Sequence, residues 1–322
     1  DASGEVIYND PAVEKGAGLR MKKDAFLRMW PLKNEQYKWT VIRMRCLLER
    51  NLPKKRFDFP SPSDFLHHVR DLTKRIPRNR IFTMVIEPQF LMIGDEPASA
   101  VIERSDKTIR WAVNRLKKDY FKFSPDHIID VWLFQDKESY EKNAMEILKL
   151  KPSSPFGFYS RPNNALIMNI ATGGGTLVHE LVHPFLEFNF PGCPPSFNEG
   201  LGSLFEQSAD KDGHIMGLPN WRLPDLQIHL RAKRPMPSFQ ELPSMSVADF
   251  YEKDKGNNYA QSRYLLYYLQ EKSLLVTYYH EFKANFKTDP TGYRTLQRIM
   301  GEKDMADFQK RWEDFVVRIK YP

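Results

Sequence analysis

The segment HELVH at residues 179–183, followed by Glu199, constrains this chain more than any other feature of the sequence. Two histidines four residues apart lie on one face of an α-helix, so both imidazoles can reach a single metal ion. Zinc accepts imidazole nitrogen and carboxylate oxygen, and a catalytic zinc site has three protein ligands and one position for water. The pattern predicts His179, His183 and Glu199 as ligands, with Glu180 placed to act as a base.

The flanking sequence predicts the elements that hold this motif. Apolar residues recur at helical spacing through it, and a strand-like run at 165–170 and a glycine turn at 172–175 precede it. Pro184 follows the second histidine directly, which predicts that the helix kinks or ends near His183. The alternative for the HELVH segment alone is an amphipathic helix with two partly buried histidines and no metal.

Glu199 also has two interpretations. Ser196 and Glu199 have the spacing of a capping box, in which the serine caps a helix and the glutamate bonds back to its first amide. The proline-containing loop at 191–195 is short and stiff, which favours delivery of Glu199 to the histidines instead. The sequence predicts the ligand role and leaves the capping role open.

At these residues the chain resembles the gluzincin branch of the zinc metallopeptidases, in which HExxH is completed by a downstream glutamate. It is most similar to the bacterial peptidase MA-like proteins, over roughly residues 82–319. The likeness is carried by Gly157-Phe158-Tyr159, by residues 173–202 and by the segment NYAQSRY at 258–264. It implies an α+β, zincin-like fold, in which a small mixed sheet lies above the HExxH helix and a mainly helical C-terminal half closes a cleft.

The resemblance also implies roles for individual residues. His179, His183 and Glu199 would bind one zinc ion, and Glu180 would be the general base. A tyrosine on a later helix would bond the developing oxyanion, and Tyr259 is preferred to Tyr264, which also reads as part of an aromatic core helix. Four residues are expected to contact substrate: Gly157, Tyr159, Arg263 and Tyr264. For Arg263 a surface salt bridge is the alternative. The glycine- and glutamate-containing motif that holds a free amino terminus in the aminopeptidase branch is not found in the sequence.

Composition sets wider limits. The chain has 322 residues, of which 41% are hydrophobic, and it contains no apolar run of the ~20 residues that a membrane helix needs. A net charge of +7 favours anionic surroundings, such as acidic polymers, membranes or cell-wall material. The basic clusters lack aromatic interleaving, so nucleic-acid binding is not expected. Cys46 and Cys193 could form one disulfide or none.

The pattern along the chain predicts three parts: a mainly helical extension at 1–80, the zincin-like sheet and active-site helices at 81–210, and a helical subdomain at 211–322. The individual elements predicted are a hairpin at 82–87 and 90–93, strands at 128–134 and 165–170, and helices at 35–50, 64–75, 99–120, 137–150, 225–232, 258–285, 291–300 and 304–319.

Taken together, the sequence predicts a zinc-dependent peptidase that acts on peptide or protein substrates. The alternatives are an inactive or structural zinc scaffold that serves binding, and a zinc amidase acting on cell-wall peptides. The first residues are Asp1-Ala2-Ser3-Gly4, without a methionine, which suggests a processed start and favours an extracytoplasmic bacterial location. Oligomeric state and substrate identity are left open.

Overall fold

The computed structural model describes residues 5–8, 19–22, 42–43, 60–77, 79–252 and 256–321. The chain divides into two compact units, residues 1–41 with 78–81, and residues 42–77 with 82–322. The smaller unit contains an antiparallel strand pair, β1 (Glu5–Tyr8) and β2 (Leu19–Lys22). The predicted division into three parts stays a prediction.

The larger unit is built around a mixed sheet and a separate hairpin. Its strands are β3 (Ile42–Arg43), β4 (Thr83–Glu87), β5 (Phe90–Gly94), β6 (Ile129–Phe134), β7 (Gly157–Ser160), β8 (Ala165–Asn169), β9 (Ser208–Lys211) and β10 (His214–Gly217). Strands β3 to β8 form one sheet in the order β3-β4-β5-β6-β8-β7. Strands β5, β6 and β8 run parallel to one another, and β7 pairs antiparallel with β8 at one edge.

Helices surround this sheet and make up most of the chain after it. They are α1 (Pro62–Thr73), α2 (Ala98–Arg104), α3 (Trp111–Asp119), α4 (Lys137–Glu146), α5 (Gly174–Asn189), α6 (Pro195–Glu206), α7 (Leu223–Arg231), α8 (Val247–Glu252), α9 (Asn257–Glu271), α10 (Leu275–Asn285), α11 (Tyr293–Met300) and α12 (Met305–Arg318). The predicted α+β class is confirmed, and the described residues after 211 are mainly helical.

The sheet is buried on both faces because helices cover both. Every residue of β6 and β8 is buried, as is typical of parallel strands between helical layers. Alternate side chains face opposite ways, so Trp132 and Ile167 join a core with α1 and α4, whereas Val131 and Met168 join the core of α3, α5 and α6. The second core continues through α9 to α12, so the sheet and the C-terminal helices share one apolar interior.

Two predicted elements differ from the structure, and one observed hairpin was not predicted. Residues 42–43, inside the helix expected at 35–50, form a strand, and the rest of that prediction lies outside the described residues. The helix expected at 258–285 is two helices, α9 and α10, because the chain turns at Ser273, whose φ is +57°. The hairpin of β9 and β10 was not predicted, since its strands are short and only partly buried.

Candidate metal centre and cavity

The two motif histidines lie on one face of α5. Their ring centroids are 5.0 Å apart, as the i, i+4 spacing predicts. Of the two outcomes expected from Pro184, an end of the helix near His183 is wrong, because α5 continues through Pro184 to Asn189, and a kink there stays a prediction. The side chain of Asn189 anchors this last turn by donating to the carbonyls of Phe123 and Phe185.

Helix α6 brings Glu199 to the histidines. Its Oε2 lies 3.2 Å from Nε2 of His179, and its Oε1 lies 4.0 Å from Nε2 of His183. The capping interpretation is not realised, since the first turn of α6 has no side-chain cap and Tyr251 donates to Glu199 Oε1. The carboxylate therefore faces both imidazoles and not the amides of its own helix.

Glycine allows α6 to approach the imidazole closely. A Cβ added at Gly202 would lie 3.1 Å from both Cδ2 and Nε2 of the His179 ring, and one at Gly200 would lie 3.2 Å from the backbone carbon of Ser262 on α9. Ordinary carbon contacts are 3.5 Å or more. Both positions in α6 therefore require glycine: Gly202 because it packs against α5, and Gly200 because it packs against α9.

The electrostatics of the site favour a cation. Burial alone would raise the pKa of Glu199, but the imidazoles of His183 and His179 and the Tyr251 hydroxyl lower it to about 2, so the carboxylate is ionised. Burial opposes the protonated form of His179, yet the hydrogen bond that the ring donates to Glu199 and the charge of Glu180 raise the pKa of that imidazole. Negative charge thus dominates around the two rings.

Glu180 lies beside this cluster and faces the cavity. Its Oε2 is 3.7 Å from Nε2 of His183, and ligand atoms of His179, Glu180 and His183 all lie within 4.8 Å of one another. Two imidazoles with nearby carboxylates are a donor set that suits a transition-metal ion such as zinc. The structure therefore contains a group able to hold a metal ion.

Two hydrogen-bond partners of the predicted ligands were not identified in the sequence. Asn198 Oδ1 lies 3.1 Å from Nδ1 of His183, so a proton on Nδ1 would leave Nε2 free to bind a metal. Asn198 precedes Glu199 directly, and this adjacency was the one signal that could have identified it. Tyr251 lies 52 residues beyond Glu199, and nothing in its local sequence indicates the contact.

A cavity of about 700 Å³ opens over the centre. His179, Glu180, His183 and Glu199 line it, together with Gly157 and Tyr159 of the edge strand β7 and with Tyr251 and Tyr259. Burial and the carboxylates of Glu199 and Glu180 raise the pKa of Tyr259. Burial and Glu187 raise the pKa of Tyr159 to about 12. Both hydroxyls are therefore protonated at neutral pH and able to donate.

Arg263 and Tyr264 lie elsewhere, which corrects their assignment as substrate contacts. Both are fully buried in α9 and neither lines the cavity. The Arg263 guanidinium donates to the carbonyls of Leu204 and Leu218, and the Tyr264 hydroxyl accepts from the amide of Asn220 at 3.0 Å. These side chains hold the loop at 218–222 in place, and Arg263 also bonds α6 at Leu204.

The sequence matches no protein-family model and no curated protein. Among the described residues, no helix combines the length and the apolar character needed to cross a bilayer. Cys193 lines the cavity as a free thiol, and Cys46 lies outside the described residues. A functional assignment consequently depends on the chemistry of the cavity itself.

Proposed function

We propose that this protein is a zinc-dependent peptidase of the gluzincin type, with a zincin-like arrangement of the sheet above α5. The observation that carries the proposal is the convergence of His179, His183 and Glu199 at the floor of a cavity that Glu180 also lines. A purely structural zinc site is closed and has no use for an unligated carboxylate beside an open cavity. The comparisons neither add to this proposal nor oppose it.

The two carboxylates are assigned different roles by their positions. Both oxygens of Glu199 face imidazole nitrogens, and the residue is only 5% exposed, so it is proposed as the third ligand with His179 and His183. Glu180 borders the cavity and is proposed as the general base. When bound, a zinc ion supplies a Lewis acid that lowers the pKa of water and polarises a carbonyl.

The chain's own residues perform the proton transfers. Glu180 accepts a proton from the attacking water and delivers it to the leaving amine. Tyr259 stays protonated and donates a hydrogen bond to the oxygen on which negative charge develops. Tyr251 is engaged with Glu199, so it orients that carboxylate.

The edge strand offers a binding surface for an extended substrate. β7 occupies the end of the sheet order, pairs with β8 on one side, and contributes Gly157, Phe158 and Tyr159 to the cavity. An extended peptide can add to such an edge through backbone hydrogen bonds. If Tyr159→Pro, which removes a backbone donor, leaves peptide hydrolysis unchanged, docking on this edge is wrong.

Metal content and turnover together test the proposal. We expect about one zinc per chain by elemental analysis of the parent and a sharp loss in Glu199→Ala. Glu180→Gln should keep zinc and lower the turnover of fluorescence-quenched peptides by about 10²–10⁴-fold. Glu141→Gln, an exposed residue of α4 that does not line the cavity, is the control and should retain turnover. Zinc-loaded parent that cleaves no peptide in a broad panel would favour the binding-scaffold alternative.

A further inference from the structure

Arg222 places a guanidinium in the wall of the cavity. The residue precedes α7, and its side chain is 15% exposed. The guanidinium carbon lies 4.0 Å from the ring centroid of Trp221 and 5.7 Å from that of Tyr259. The positive charge is thus held between two aromatic rings, and one of them belongs to the proposed oxyanion donor.

The donors of this guanidinium are incompletely used. Nε and Nη1 are buried without a hydrogen-bond partner among the described residues, and Nη2 lies 3.5 Å from Oε2 of Glu206. A charge-assisted bond is normally about 2.7–2.9 Å long. The structural Arg104 differs, since its Nε and Nη2 bond both oxygens of Glu96 at 2.6 and 2.8 Å. Arg222 therefore carries a free-energy cost that an added acceptor would relieve.

The loop that carries Arg222 is fixed from behind. The Arg222 amide donates to Asn220 Oδ1 at 3.1 Å, and the Asn220 amide donates to the buried Tyr264 hydroxyl. Arg263 holds the carbonyl of Leu218 in the same loop. These bonds restrict the backbone of the loop, so they hold the Arg222 guanidinium and its unused donors in the cavity wall.

We propose that Arg222 binds a carboxylate of the substrate and thereby sets its specificity, an inference that rests on the proposed peptidase function. A guanidinium bonded to two carboxylates already occurs in this chain, where Arg110 contacts both Glu87 and Asp106. Nε and Nη1 point to different sides of the guanidinium, so the ligand carboxylate would bond the unused Nη1 and share Nη2 with Glu206.

The carboxylate can belong to a peptide C-terminus or to an acidic side chain. Three N-acetylated alanine-rich peptide series separate these sources: free acids, C-terminal amides, and amides that contain one glutamate. Binding is measured on metal-free protein by calorimetry and by tryptophan fluorescence, so the readout does not depend on turnover. The parent should bind at least one carboxylate-bearing series about 10–100-fold more tightly than the plain amides.

Variants assign that preference to Arg222. Arg222→Gln should remove it, and Arg222→Lys should restore part of it, because lysine keeps the charge without the fork of donors. Arg161→Gln is the control, since Arg161 also lines the cavity but is 74% exposed and paired with Glu187. It should keep the preference. Equal binding of all series by the parent, or an Arg222→Gln variant that retains the preference, overturns the proposal.

Kinetics on zinc-loaded protein distinguish recognition from positioning. Recognition predicts that Arg222→Gln lowers kcat/KM for the preferred series and leaves the plain amides nearly unchanged. An equal loss on both would mean that Arg222 only supports Tyr259 or Glu206, and would overturn the proposal. If no peptide is cleaved but the parent's binding preference disappears in Arg222→Gln, the peptidase function fails and carboxylate recognition stands.

Discussion

Gly202→Ala is expected to weaken zinc binding without unfolding the protein. The new Cβ would meet Cδ2 and Nε2 of His179 at 3.1 Å and Cε1 at 3.3 Å. Since comfortable contacts begin near 3.5 Å, the ring must retreat by several tenths of an ångström. Zinc–ligand distances tolerate about 0.2 Å, and the ring is 7% exposed and enclosed by its neighbours. A displaced ligand should therefore raise the zinc Kd about 10–100-fold, which equals about 1.4–2.8 kcal/mol.

The effect on the metal-free fold should be smaller. Overpacking a core costs about 1–3 kcal/mol. Replacing glycine by alanine inside a helix returns up to about 1 kcal/mol through lower backbone entropy in the unfolded chain. The free energy of unfolding should consequently fall by about 0–3 kcal/mol, which urea denaturation of the metal-free variant can measure.

Zinc affinity is best measured by competition with a chromophoric chelator. Gly200→Ala is the matched control, because its Cβ would crowd Leu266 and Ser262 on α9 and no metal ligand. It should lose comparable stability and keep the parental Kd. A Gly202→Ala variant that binds zinc within twofold of the parent, or a Gly200→Ala variant that loses zinc equally, would refute the assigned contact between α6 and His179.

Three further predictions concern single side chains. Asn198→Ala should raise the zinc Kd about 10–100-fold, since Nδ1 of His183 loses its partner, and an unchanged Kd would contradict this role. Tyr259→Phe should lower kcat about 10²–10³-fold with little change in zinc content, and a change in KM alone would point to substrate binding instead. His68 forms a hydrogen bond to Asp130 at 2.6 Å, which raises the pKa of His68 in the folded protein. The pair therefore stabilises the fold fully below about pH 6.5, and this stabilisation is lost as the pH rises through the raised pKa of His68. His68→Gln should thus lower the free energy of unfolding more at pH 6 than at pH 9. The difference should be about 1 kcal/mol at most, because the ring is 35% exposed. If urea denaturation shows the same loss at both pH values, the ion pair is excluded.

The parts of the site that were predictable depend on short-range spacing. An i, i+4 pair lies on one helix face in any context, so His179 and His183 were identified without tertiary information. The buried strands β6 and β8 were recognisable for a similar reason, because their runs are short and almost entirely apolar. The prediction of Glu199 as a ligand required the loop at 191–195 to be compact, and the prolines of that loop were the reason to expect this.

The rest depends on contacts between distant segments. Tyr251 and Arg222 reach the cavity from loops and short helices whose local sequence has no catalytic pattern. Arg263 was misassigned because a single arginine in an aromatic helix suggests a ligand contact. In the structure Arg263 is buried and donates to backbone carbonyls. A contact of this kind cannot be recognised from the spacing of residues in the sequence. The break at Ser273 was missed although four polar residues, 270–273, interrupt the apolar pattern there.

Pro184 shows how packing overrides a local rule. Proline inside a helix costs about 3 kcal/mol, because it removes an amide and crowds the carbonyl four residues before it. Phe185 and Leu186 are 0% and 1% exposed in the core beneath the sheet, and burying two such side chains contributes about 3–6 kcal/mol. The turns after Pro184 therefore exist because the core holds them, and the carbonyl that loses its amide partner is that of Glu180. The helical backbone around Glu180 and His183 thus depends on apolar contacts outside the motif. A motif match alone therefore could not determine the geometry of this centre.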